Sequence, residues 1–312
     1  LSTVYIRFAA RPPPTLVRAP LLERLLARAD AEAYEADWRA RAFRVIAPQA
    51  PMPAVATAAL RGHAQDPTDA WALVASPVHL VAGMRSVSMP ADGILDLEPA
   101  EADLLVADFN RVFEGAGARL ARGRTASLLC LFDAPLCATT IDPEEVLGED
   151  IGEFVPRGAD SPRLRRLMTE IEMWLFAHLV NERRRARAAT LISGLWLWGG
   201  GASDYPLPVV HGWAAGADPL FAAFAGPANF TDTAGPGVAV ITDWPGSAGW
   251  RDAEQNWLAP AAGELRSGRL KRLDLSAGRR CFSVSARGML RFWRWPRPWW
   301  ESFGMRAADG GG

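Results

Sequence analysis

His178 and Glu182 stand four residues apart in a stretch of helical periodicity, so both side chains can face one ligand. Such a pair can act as a buried acid and base or give two ligands to a metal. It can equally be a histidine bonded to a carboxylate, because a polar group inside an apolar helix must be paired. Asn181 beside them suits a bond to nearby backbone, and Glu170 and Trp174 continue the stripe. A second candidate follows directly. Trp196 and Trp198 alternate on a predicted strand that runs into Gly199, Gly200 and Gly201, and successive glycines let backbone amides approach an anion closely. Neither a P-loop lysine nor a GxGxxG spacing accompanies them, so a plain turn is the other reading, with the two tryptophans packed on the long helix. Asp243 closes a predicted strand over 238–242, either as a pocket residue beside the glycine turn at the carboxyl ends of sheet strands or as an ordinary turn aspartate. The third constellation, Arg291, Trp293, Arg294, Trp295 and Trp299 with Phe292 among them, interleaves arginine with aromatics. That mix anchors a protein partner or stacks on single-stranded bases. Exposing so many tryptophans is costly, so packing across the domain competes with both.

The elements that must position these groups are legible in outline. Residues 3–8 alternate as a strand, ended by Pro12, Pro13 and Pro14. Helices are expected over 20–33 and 52–60, one or two strands about a turn near Gly83 over 70–89, an amphipathic helix over 99–114 and a strand over 127–132. The stretch 133–158 lacks periodicity and is the expected hinge. Residues 161–188 read as one long helix, its middle running through the core and its cluster Arg183, Arg184, Arg185 and Arg187 in solvent. Beyond it, strands to Trp198, near Val209, over 238–242, 270–275 and 281–285 alternate with helices over 218–225 and 247–266. The expected fold is therefore α/β, a mixed sheet with parallel segments covered by helices, formed as one core or as two lobes over 1–150 and 151–303 with a tail over 304–312.

The chain has 312 residues, 49% hydrophobic and 22% charged, ample for a core. Its formal net charge of -1 gives no global pull toward nucleic acid or acidic membrane, so any such contact must be local. Cys130, Cys137 and Cys281 lack paired spacing and read as free thiols. No run has the length of a membrane span, and a cytoplasmic location is expected.

Residues 171–201 carry the most specific pattern: Met173, His178, Val180, Asn181, Glu182, Arg184 and Arg187, then Leu195, Trp196, Leu197, Trp198 and the three glycines. With Pro77, Val78, His79 and Leu80, with Glu101 and Asn110, and with Leu147, Gly148 and Pro156, this resembles the proteobacterial RpfE-like proteins. That family is named for regulation of pathogenicity factors and is often labelled as cofactor-independent phosphoglycerate mutase. Ser76, Leu179 and Ser193 depart from its pattern, standing where an acidic residue, a proline and an asparagine are usual. The mutase label implies a serine or threonine nucleophile and two divalent metals, Mn or Mg, held by aspartates and histidines. His63, His79, His178 and His211 form no cluster of metal-ligand spacing, so no metal and no cofactor are expected outside that label. The leading expectation is a non-enzymatic or weakly enzymatic regulatory protein that binds a protein partner or small ligand through the carboxyl-end face of its C-terminal sheet and the Arg/Trp segment. The alternatives are the metal-dependent mutase and a single-stranded nucleic-acid binder, the latter without support from net charge.

Overall fold

The computed structural model describes residues 2–10, 16–33, 37–61, 71–123, 127–224, 230, 235–241 and 253–305. The chain forms two compact units, Leu1–Met52 with Pro208–Gly312, and Pro53–Leu207. The break expected near residue 150 falls inside the second unit. The stretch 133–158, expected as a hinge, is part of it and carries two 3₁₀ turns, Pro143–Glu145 and Ile151–Glu153, capped by Asp142 and Asp150.

In chain order, β1 (Ser2–Phe8) opens the first unit. Its alternation puts Val4, Ile6 and Phe8 in the main core and leaves Tyr5 and Arg7 facing the other way. Helix α1 (Pro20–Arg28) starts on its proline and stops short of the expected 33, because Ala29 is extended and Asp30–Glu32 forms the short strand β2. Helix α2 (Trp38–Ile46) is capped by Asp37, whose side chain accepts from the Ala40 amide.

The second unit begins with α3 (Val55–Arg61), followed by β3 (Trp71–Val78) and a small hairpin, β4 (Val81–Ala82) and β5 (Val87–Ser88). Then come α4 (Pro99–Val112), β6 (Ala118–Arg122), β7 (Leu128–Phe132), α5 (Ser161–Phe176), α6 (Leu179–Ala186) and β8 (Gly194–Ala202). The four long strands lie in the order β6-β7-β3-β8, every pair antiparallel. Leu73, Cys130, Leu195 and Leu197 turn one face toward Leu105 and Phe109 of α4 and Leu164 and Ile171 of α5.

The chain then returns to the first unit through β9 (Trp213–Gly216), β10 (Gly237–Ile241), a π-helical turn Glu254–Leu258 leading into α7 (Ala259–Ser267), β11 (Leu270–Ala277), β12 (Arg280–Ser285) and α8 (Trp299–Phe303). Its sheet runs β2-β12-β11-β1-β10-β9. The strands β11, β1, β10 and β9 are parallel, and β12 and β2 are added antiparallel at one edge. The chain is thus mixed α/β, as expected. The strand expected near Val209 is instead an exposed loop.

Gly199, Gly200 and Gly201, expected as a turn, lie within β8. Opposite them Ala72 pairs with Gly201 and Val74 with Trp198, so β8 carries one residue more than β3 and bulges. Gly199 takes a φ of 67° there, which suits glycine. A side chain on Gly201 would place its Cβ 2.3 Å from the Ala54 Cβ, and one on Gly200 would meet Leu73 at 2.7 Å. The glycines let α3 and β3 close onto β8. Gly201→Val is therefore expected to destabilise the second unit by about 1–3 kcal/mol, seen as a lower melting temperature.

Candidate functional site

The pattern around residue 178 becomes a bracing centre in the structure. The helix expected over 161–188 breaks at Ala177, and His178 takes an extended conformation as the N-cap of α6. Its Nδ1 accepts the Val180 amide at 3.1 Å, which leaves Nε2 to donate to Asp108 of α4 at 3.2 Å. Trp174 lies edge-on to the imidazole at 4.5 Å. The carboxylate partner is thus Asp108, not the Glu182 expected four residues on. Burial pushes the His178 pKa below 6.5, opposed by the charge of Asp108. Leu179 occupies the first helical position, where a proline is equally at home.

Asn181 is 2% exposed, and every polar bond on its amide is to backbone: Nδ2 donates to the Leu175 and Ile192 carbonyls, and Oδ1 accepts from the Ile192 amide. Three residues on, Arg184 corrects a further expectation, for it is buried rather than in solvent. Its guanidinium grips both oxygens of Glu101 in α4 at 2.8 and 2.7 Å and donates to the Thr190 and Asp96 carbonyls. Arg187 adds a second cation to Glu101. Burial pushes the Glu101 pKa up, but the bonds from Arg184 and the Glu98 amide and the charges of both arginines hold it below the usual range. The apolar stretch 173–180 does not run through the core throughout, since Met173 and Phe176 are 65% and 77% exposed.

Trp196 and Trp198 are buried on the sheet face opposite to Leu195 and Leu197, hence away from α5 rather than packed on it. The indole of Trp196 donates to the Ile141 carbonyl and that of Trp198 to the Ser76 hydroxyl. The glycines beside them belong to an antiparallel sheet, whereas β10, which precedes Asp243, is in the other unit, so the two do not share the carboxyl ends of one sheet. Asp243 and His63 lie outside the described residues. His79 bonds the Leu191 carbonyl through Nδ1.

Among the described residues, no three His, Cys, Asp or Glu side chains come together as a metal centre.

Two arginines at the carboxyl ends of the parallel strands are buried without any local signal in the sequence. Arg39, in the first turn of α2, pairs with Asp218 at 2.9 Å just after β9, and Arg7 bonds Ser276 and the Gly278 carbonyl. Both guanidinium groups lie against the Trp38 ring, at 4.4 and 4.7 Å from its centroid.

The Arg/Trp segment divides. Trp299 is fully buried and donates to the Val17 carbonyl. It therefore anchors the segment and offers no surface. By contrast Leu290, Phe292, Trp293 and Trp295 are 68%, 81%, 63% and 88% exposed. Arg291 and Arg294 are not stacked on the rings as the packed alternative would have them. Arg291 bonds Asp30, and Arg294 bonds the Ala29 carbonyl, which pins the loop to the end of α1.

No family model matches the chain, and no curated protein matches it. Among solved structures, a cofactor-independent phosphoglycerate mutase from Thermoplasma acidophilum DSM 1728 is 14% identical over 91% of this chain and 89% of its own, with a TM-score of 0.37. The PH0037 protein from Pyrococcus horikoshii is 12% identical over 91% and 87%, with a TM-score of 0.40. Likenesses this slight carry no argument about activity. No helix among the described residues is long and apolar enough to cross a membrane.

The cap on α6 predicts a pH dependence. Folded His178 holds its proton less tightly than the unfolded residue, whose pKa is about 6.5. The unfolded chain therefore binds more protons as the pH drops through that value, and stability falls below about pH 6.5. In urea melts at pH 7.5 and 5.5, His178→Asn, which keeps a capping side chain, is expected to lose less stability on acidification than the unaltered protein.

Proposed function

We propose that this protein works by binding a partner protein through residues 290–295. The observation that carries the reading is the exposure of four large apolar side chains on one loop that the side chains of Arg291 and Arg294 tie to Asp30 and Ala29. An exposed cluster of this kind is costly unless something covers it, and tryptophan and phenylalanine on a braced loop are the anchors that partner interfaces favour. From 287 to 297 the chain has four arginines and no acidic residue. The fitting partner is a segment that sets acidic residues around an apolar one. Such a role accords with the regulatory function that resemblance to the RpfE-like proteins implies.

Single-stranded nucleic acid would also stack on these rings. It needs a run of cations that follows successive phosphates, whereas only Arg287 and Arg297 are left over once Arg291 and Arg294 bond Asp30 and a carbonyl, enough for one acidic segment but not for a strand, and the net charge gives no wider attraction. The mutase alternative has no comparable support among the described residues.

A photo-crosslinking residue at position 293, used in cells of the source organism, tests the proposal. A protein adduct that maps to an acidic stretch and is lost with Trp295→Ala is expected, with each aromatic truncation weakening the purified complex by about 2 kcal/mol, roughly thirtyfold. A nuclease-sensitive adduct would transfer the surface to nucleic acid, and no adduct would overturn the reading.

A further inference from the structure

A separate site lies in the unit Leu1–Met52 with Pro208–Gly312, where α2 ends beside the starts of β9 and β10. Val45, Ile46, Pro48, Val209 and Pro236 wall a cavity of about 380 Å3 there, within the range of small-molecule sites. Its walls are set by backbone bonds: the His211 amide donates to the Ile46 carbonyl at 2.8 Å, the Trp213 amide to the Pro236 carbonyl at 3.1 Å, and the Ala50 amide to the Ala47 carbonyl at 3.3 Å. The cavity is thus formed in advance of any ligand, which lowers the cost of ordering on binding.

Its chemistry narrows what could fill it. Gln49 and His211 supply the polar side chains, and among the described lining residues there is no Asp, Glu, Lys or Arg. Phosphates and carboxylates would find no cation to pair with, and burying their charge unpaired is costly. The last turn of α2 carries the negative end of the helix dipole toward the cavity, which favours a hydrogen-bond donor over an anion. Val209 is 78% exposed although it forms part of the wall, so covering it is a gain open to an apolar ligand.

We propose that this cavity binds an uncharged, largely apolar molecule at least the size of a bicyclic aromatic ring, carrying one hydrogen-bond donor. The contact set is apolar walls around the ring and the Gln49 and His211 end for the donor. It shares no residue with the loop at 290–295 and stands or falls apart from it.

Indole is the probe, since it has that size, no charge and one N–H. Titrated into the full chain labelled with ¹⁵N, it is expected to give saturable amide shifts confined to 45–50 and 209–212. Indole-3-acetate, the same ring with a negative charge, is expected to bind at least about tenfold more weakly. Val209→Arg alters an exposed side chain, so the melting temperature should hold while the indole shifts vanish. His211→Ala should weaken them without abolishing them. The absence of saturable shifts at millimolar indole, shifts centred elsewhere, full binding by Val209→Arg, or equal affinity for the two probes would each overturn the proposal.

Discussion

The unit Pro53–Leu207 turns on one desolvated ion pair, Arg184 with Glu101. Both side chains are about 6% exposed, so each charge has left water and must be repaid within the protein. The geometry does this fully: two parallel bonds to the carboxylate, two further donors on backbone carbonyls, and Arg187 as a second cation. Glu101 also accepts the Glu98 amide, so the same carboxylate closes the start of α4. Around this pair, α6 is fixed by two more polar ties, His178 to Asp108 and Asn181 to the segment that enters β8. A helix of eight residues is thereby held to α4 on one side and to the strand entry on the other.

This arrangement explains why residues that could do chemistry are not presented for it. His178 is committed at both ring nitrogens, Asn181 at both amide atoms, and Arg184 to a carboxylate and two carbonyls. The tryptophans of β8 are buried with their indoles bonded, and the glycines admit neighbouring protein at close range. An exposed aromatic surface lies elsewhere, in the loop whose rings face solvent while Trp299 fastens it to the core. A most specific sequence pattern can thus mark where a unit is braced instead of where it acts.

Much of the fold was legible because its physical signals are local. The alternation of residues 3–8, Pro99 at the head of α4 and the paired strands after 270 each carry their own periodicity or boundary. Elements whose cause is distant were missed. Asp30 to Glu32 and the Ala-Arg-Leu-Ala-Arg strand β6 are polar, and they are strands because a neighbour offers them a ladder. The break between α5 and α6 was hidden by an apolar run and by a histidine serving as cap, a role usually filled by Ser, Thr, Asp or Asn. Burial of Arg184 was invisible for the same reason, since its partner is 83 residues away. One signal was there to be read: the chain leaves the first unit through Pro51 and Pro53 and returns through Pro206 and Pro208, a proline pair at each crossing.

The most direct measurement of this account is a double-mutant cycle on Glu101→Ala and Arg184→Ala, followed by urea unfolding at pH 7.5. Each single change strands a buried charge and is predicted to cost about 3–5 kcal/mol, with the double variant well below the sum of the two. Single variants within about 0.5 kcal/mol of the unaltered protein, or strictly additive losses, would show that the pair does not brace the unit and would contradict the account.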